Sequence, residues 1–433
     1  MSDVGDLNRV FVTGVGALSA AGNTANALWD PVLAGESGIA PIQNADLSKW
    51  THQLGGELKT YEPRKMLPDR KLLKAISRQD VLGINAAMQA IEDSDLISYQ
   101  NNLAASDDLN ALNAFNDQTG VYVGSPGNKY YQQYDFLPLM SKTKGDMQAF
   151  SEQFMSEVHP MWLLRILPNN VLAYVGMSYG FKGVNHNVVN HATGGMQALI
   201  EAYHAIRTGD AERIVVVAYD VGTDEQALFY YERLGLLSAD HLNPFDAAHN
   251  GTVLAEGAAA LVLESEASIK ARNATPYVEL TGGLARPEAA GLFSIDADGK
   301  QLAKLMTDTL DMQQLTADDL ACVIAHGNGN PKSDMSEAYA IQHMQADIPV
   351  TAFKWAMGHT LCASGVMDAV LATHALRSKT IPGLPQWRQA AKGCEALNCA
   401  SQTREMHASK QHALLLNRGF GSMNTSLVMK ACD

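Results

Sequence analysis

The chain has 433 residues, 46% of them hydrophobic and 18% charged, with a formal net charge of −14. That is long and apolar enough for a large core in one big or two fused α/β domains, and the acidity argues against nucleic acid as a partner. Cys322, Cys362, Cys394, Cys399 and Cys432 form no Cys-x-x-Cys pair, the first ten residues lack an apolar signal segment, and no apolar run approaches ~18 residues, so the expectation is a cytoplasmic protein with reduced thiols, no metal and no membrane span.

Val10–Gly16 reads as a buried strand followed by a Gly-rich turn. Gly14-x-Gly16 alone would suggest a dinucleotide loop. Ser19 stands where the third Gly belongs and no acidic strand end follows, so a Rossmann reading is set aside. Asn23 and Thr24 open a helix through Trp29 to Leu33. Residues 60–79 hold Arg64, Lys65, Arg70, Lys71, Lys74 and Arg78, a basic island that is either a solvated face or a docking patch. Gln79–Leu96 is a predicted helix, Ser98–Asp117 a polar surface excursion and Gly120–Gly124 a strand. Asn128–Pro168 is irregular and rich in aromatics and Met, among them Tyr130, Tyr131, Phe136, Phe150, Phe154 and Trp162.

Gly183–Asp210 (GVNHNVVNHATGGMQALIEAYHAIRTGD) reads as a strand, a sharp turn and a long helix. His191 falls at the turn, just before a helix N-terminus, where N–H groups point outward and partial positive charge collects. Ile214–Val217 and Ala258–Leu263 are strands. From Pro276 the pattern restarts: strand 276–281, helix 301–314, strand 322–325, helix 333–344, strand 348–351, helix 366–378, strands 412–416 and 424–430. This predicts two α/β halves, 1–265 and 266–433, with an insertion at about 98–168. Internal identity is too weak to prove a repeat.

Five stretches together resemble the β-ketoacyl-(acyl carrier protein) synthases of the elongating type. The opening RVFVTGVGALSAAGNTANALWDPVLAGESGI and the run NPFDAAHNGTVLAEG (243–257) match the family closely. VIAHGNGNP (323–331), TAFKWAMGHTLCASG (351–365) and LNRGFGSMN (416–424) match its active-site motifs. The resemblance implies the thiolase fold, an αβαβα five-layer sandwich of two similar halves. It implies active-site His326, His359 and Lys354, with Asn328 and Asn330 where two Thr usually bind the pantetheine arm. Gly419, Phe420 and Gly421 would form the oxyanion turn, and Arg418 stands where a Phe is usual. Asp334 and Glu337 follow His326 at the family's spacing, and Asp246 and Glu256 are assigned to holding turns. The insertion would cap the acyl tunnel and contribute to the dimer face. Asn190-His191-Ala192-Thr193-Gly194 corresponds to the nucleophile turn, but His191 occupies the Cys position.

The resemblance further implies an acyl carrier protein as partner, its phosphopantetheine arm as substrate and no bound cofactor. Arg64, Lys65, Arg70, Lys71 and Lys74 would then dock the acidic carrier. Two imidazole donors can stabilise the enolate left when malonyl thioester loses CO2, whereas an acyl-imidazole at His191 would be a poor store. Three functions follow. The chain decarboxylates malonyl-carrier protein without condensing. Alternatively it is a non-catalytic, chain-length-factor-like subunit, a heterodimer partner of a Cys-containing ketosynthase rather than a homodimer. Thirdly it is a 3-oxoacyl-carrier-protein synthase with an atypical site, for which Cys362 is the nearby thiol.

Overall fold

The computed structural model describes residues 7–106, 108–127 and 132–432, with backbone alone at 132–135. Ten strands form its main sheet. Five precede residue 266: β1 (Val10–Ser19), β2 (Thr119–Gly124), β3 (Asn185–Val188), β4 (Arg213–Val221) and β5 (Glu256–Ser265). Five follow: β6 (Val278–Pro287), β7 (Leu320–Ile324), β8 (Val350–Thr351), β9 (His412–Gly419) and β10 (Met423–Ala431). The order across the sheet is β8-β7-β9-β10-β6-β1-β5-β4-β2-β3.

Read outward from the middle, each half has the same plan. β1 pairs antiparallel with β5, β5 antiparallel with β4, and β4 parallel with β2, which runs parallel to β3. β6 pairs antiparallel with β10, β10 antiparallel with β9, and β9 parallel with β7, which runs parallel to β8. The halves join where Val10–Val12 pairs antiparallel with Val278–Leu280. Central strands buried on both faces explain the unbroken apolar runs of β4 and β5.

Helices complete five layers. On one outer face lie α1 (Arg78–Asp93), against β1, β4 and β5, and α2 (Asn170–Tyr179), against β2. In the centre α3 (Gly194–Arg207) touches β2, β4 and β6, and α6 (Ser364–Ser378) touches β5, β9 and β10. On the other outer face α4 (Lys300–Asp311) covers β6 and β10 and packs on α5 (Pro331–Gln342). The shared plan exposes the repeat that overall identity hides. α3 and α6 each begin after the third strand of their half, through a short 3₁₀ turn, His191–Thr193 and Leu361–Ala363. His191 and Leu361 open those turns with φ of 43° and 47°. Gly195, Ala202, His204, Ala205 and Arg207 then match Gly365, Ala372, His374, Ala375 and Arg377 in order.

The predicted elements are present, with β4, β5, β6 and β9 longer than expected. Two regions differ. Ser98–Asp117 is a surface excursion that is mostly helical, in helices Leu96–Ala105 and Leu109–Asp117, the second capped by Asp108. Residues 128–168 hold helices Gln132–Lys142, Met147–Glu157 and Trp162–Arg165. Phe136, Phe150, Phe154 and Trp162 cluster there, with ring centroids 4.9 to 6.4 Å apart. Short amphipathic helices give a weak periodic signal, so tertiary packing made these elements visible. Tyr130 and Tyr131 lie outside the described residues.

Gly14 and Gly16 are strand residues, not a phosphate loop. Helix α1 crosses β1 so closely that a Cβ on Gly16 would lie 2.2 Å from the Ala86 carbonyl oxygen. The obstacle is backbone, so Gly16→Ala forces α1 off the sheet. The expected cost is at least the ~1–3 kcal/mol of overpacking, read as a lower midpoint in urea unfolding.

Candidate active site

Three turns and one hairpin converge on a cavity of about 760 Å³. His191, His326, His359, Asn328, Asn330, Arg418, Gly419 and Phe420 all line it, together with Tyr231 and Glu288. Lys354 and Gly421 do not line it, nor does any described aromatic of the insertion.

His326 follows β7. Its peptide N–H and that of Gly327 donate to the two oxygens of Glu337 on α5, at 2.6 and 3.0 Å. That clamp fixes the turn presenting the imidazole, and burial pushes the Glu337 carboxyl up to about 7. The His326 Nδ1 faces the peptide N–H of Arg418 at 3.3 Å. His359 Nδ1 accepts from the Leu361 N–H at 3.3 Å. Both rings thus take a peptide N–H at Nδ1, which places the ring hydrogen on Nε2. The rings meet edge to face, centroids 5.2 Å apart. Burial, then the nearby Lys354 charge, holds both well below the ordinary histidine range. The result is a pair of neutral imidazoles, each with an Nε2–H donor.

Lys354 is 2% exposed. Its ammonium bonds Asp368 on α6 at 2.8 Å. Its hydrogen bond goes to Asp368 rather than to His326, and it acts on the histidines through charge. A buried ammonium in an apolar motif demands a counter-ion, and Asp368, isolated in an apolar helix, was the sequence signal for it.

His191 sits in the left-handed region, where a non-Gly residue is held at a cost of about 1–3 kcal/mol. Its ring stacks on Phe420 at 4.3 Å and 16°. The Phe420 N–H points at His191 Nδ1 from 3.5 Å, a long contact. Nε2 lies 3.2 Å from the Tyr231 hydroxyl. Burial drives the Tyr231 phenol far above its usual range, so it stays protonated. Tyr231, on the helix Glu225–Arg233, belongs to no recognisable motif, and only the fold brings it to the site. Cys362, the alternative thiol, is fully buried and lies 3.0 Å from where a Cβ on Gly194 would sit; it does not line the cavity.

The remaining candidates divide by what their polar atoms already do. Asn330 caps α5, accepting from the N–H groups of Lys332 and Ser333. Asn328 accepts from the Asn330 N–H at 3.0 Å. Each therefore offers a ligand its amide nitrogen rather than its oxygen. Arg418 is not an exposed charge at a gate. It is 6% exposed and donates to Glu288, Asn424, Ser333 and Ser336. Asp246 accepts three peptide N–H bonds, from Ala248, Arg388 and Gln389. Asp334 takes the Phe245 N–H and pairs with His249. Glu256 takes the Leu58 N–H and a two-point bond from Arg78. Arg78 also lies 3.9 Å over the Tyr61 ring, so it is structural and leaves the basic island. Arg64, Lys65, Arg70, Lys71 and Lys74 are exposed, with Lys65 paired to Glu62. None of the five cysteines is in a disulfide, and among the described residues no helix is long and apolar enough to cross a membrane.

The family models of the beta-ketoacyl synthase N-terminal and C-terminal domains match residues 7–268 and 279–387. The 3-oxoacyl-[acyl-carrier-protein] synthase 2 of Coxiella burnetii is 27% identical over 97% of this chain and 98% of its own length. That of Synechocystis is also 27% identical, over 98% of each chain. The crystal structure of a beta-ketoacyl synthase from Burkholderia phymatum superposes with a TM-score of 0.85 at 22% identity, covering 99% of this chain and 100% of that one. The ishigamide ketosynthase/chain length factor superposes at 0.84, also at 22% identity and with the same coverage.

The Lys354–Asp368 pair yields a prediction. Lys354→Met leaves a buried carboxylate without its partner, which costs about 3–5 kcal/mol. The double change Lys354→Met, Asp368→Leu should lose much less. Chemical unfolding of the three proteins reads the difference.

Proposed function

Because this chain belongs to the β-ketoacyl synthase family, we propose that it removes CO2 from a malonyl thioester carried on the phosphopantetheine arm of an acyl carrier protein, without joining the product to an acyl chain. One observation carries this reading: two neutral Nε2–H donors at His326 and His359 share a cavity with an imidazole where the family places its acyl-accepting thiol. The bond between the carboxylate and the α-carbon breaks, and its electron pair moves into the thioester. The enolate oxygen is received by the two Nε2–H groups, placed before the reaction begins. Their low pKa leaves both donors uncharged in front of the Lys354 ammonium. His191, stacked on Phe420 with Nδ1 toward the Phe420 N–H, fills the position an acyl oxygen would take. The amide nitrogens of Asn328 and Asn330 are suited to the arm. No cofactor of the protein's own is invoked.

Purified protein incubated with malonyl-carrier protein should yield acetyl-carrier protein, detected by mass spectrometry. His326→Ala and His359→Ala should each slow this by about 10²–10³, the usual cost of one oxyanion donor. The second reading is a non-catalytic partner in a heterodimer with a Cys-containing ketosynthase. The buried Arg418–Glu288 pair, 2.8 Å apart beside the cavity, favours it by adding polar bulk where the family is apolar. Absence of turnover, alone and with a co-purified partner, would overturn the decarboxylase reading and leave this one.

We further propose that the exposed Arg64, Lys65, Arg70, Lys71 and Lys74 dock the acidic carrier. Changing Lys65, Arg70 and Lys71 to Glu should weaken carrier binding. Binding by the parent should fall with salt, since exposed charges are screened over ~8 Å at physiological ionic strength. Titration calorimetry at two salt concentrations tests both.

A further inference from the structure

We propose that Tyr231 is the proton donor that ends the reaction, with His191 orienting and supporting its hydroxyl; the inference rests on the decarboxylase reading above. Loss of CO2 leaves a carbanion equivalent at the α-carbon. A condensing enzyme consumes it with an acyl electrophile. A site without that electrophile must supply a proton on the same side of the substrate, where His191 now stands.

Tyr231 meets the geometric requirement. It lines the same cavity as His191, His326 and His359. Its ring packs near-parallel to His191 at a centroid distance of 6.3 Å and tilted against Phe420 at 5.5 Å. The Phe420 N–H facing His191 Nδ1 puts the imidazole hydrogen on Nε2, which donates to the phenol oxygen across 3.2 Å. A phenol that accepts this bond keeps its own hydrogen for the cavity. The accepted bond strengthens as negative charge forms on the oxygen, so it favours proton release. Burial meanwhile keeps the donor loaded at any working pH. Even a phenol made less acidic by burial is a far stronger acid than the α-C–H of a thioester. His326 and His359 are committed to the enolate oxygen, with their Nδ1 atoms facing peptide N–H groups.

The step balances. The enolate electron pair forms the new bond from α-carbon to hydrogen as the Tyr231 O–H bond breaks. The phenolate, held by the His191 Nε2–H, takes a proton from water entering the cavity. The sum is malonyl thioester plus one proton giving acetyl thioester and CO2.

The test uses competing isotopes. The full-length protein is given malonyl-carrier protein in an equal mixture of H2O and D2O, and the ratio of hydrogen to deuterium in the new methyl group is read by mass spectrometry. That ratio reports the group that delivers the proton. The parent should show the selectivity of a bound phenol, and Tyr231→Phe, which keeps the stacked ring, should shift the ratio to that of water. Tyr231→3-fluorotyrosine keeps ring and hydroxyl but sharpens the acidity, so it should shift the ratio too and serves if the Phe variant does not fold. A ratio unchanged from the parent in a folded variant overturns the role of Tyr231 while leaving decarboxylation intact. Absence of acetyl product from the parent overturns the decarboxylase reading and this inference with it.

Discussion

The two central helices meet at their N-terminal ends with no room for a side-chain carbon between them. A Cβ on Gly195 would lie 2.5 Å from the Cys362 carbonyl oxygen, and one on Gly365 2.7 Å from the Met196 Cβ. Glycine at both positions lets the 3₁₀ turns ahead of α3 and α6 touch. β3 runs almost directly into the first turn, the helix Lys354–Met357 leads from β8 to the second, and each turn opens with a residue in the left-handed region, His191 and Leu361. The fold makes this sharp turn twice, once in each half. Only the first puts a polar side chain in the cavity; the second buries Leu361 at 4% exposure.

Around that junction the electrostatics are arranged in depth. The cavity holds two neutral imidazoles, His326 and His359, and three charge pairs surround it: Arg418 with Glu288 in its wall, and Lys354 with Asp368 and Arg78 with Glu256 behind it. Pairing is what makes such charges tolerable in a low-dielectric interior. Peptide N–H groups directed at the Nδ1 atoms let the rings stay neutral while holding one tautomer. The site is preorganised to meet negative charge with hydrogen-bond donors, and this preorganisation does not depend on the residue at position 191.

In the proposed reading, an imidazole where the family places a thiol changes the shape of the site as well as its nucleophile. A planar ring can stack, and here it stacks on Phe420 with Tyr231 packed beside both rings. Within the proposed chemistry, this cluster takes the space of the acyl group and gives the cavity a hydroxyl. In that reading the substitution removes one substrate and leaves the machinery for the other.

The sequence by itself determined the strand–helix alternation, the turn at His191, and the set of His326, Lys354, His359 and Phe420. These signals are local. Apolar periodicity, glycine turns and short motifs are written in consecutive residues, so they survive without a structure. The matching strand plans of the two halves became visible only in the sheet, because hydrogen-bond pairing between distant strands leaves no local trace. The helices of 96–117 and 132–165 escaped for a related reason: their amphipathic signal is short, and packing against the body and against one another stabilises them. At the site, Tyr231 and Glu288 come from elements outside the motifs they serve, reaching His191 and Arg418 across 40 and 130 residues. Sequence named the groups to which the proposed chemistry is assigned. Tertiary structure decided which hydrogen each ring carries, which charges are neutralised and where each donor points, since those follow from contacts between residues that the chain keeps apart.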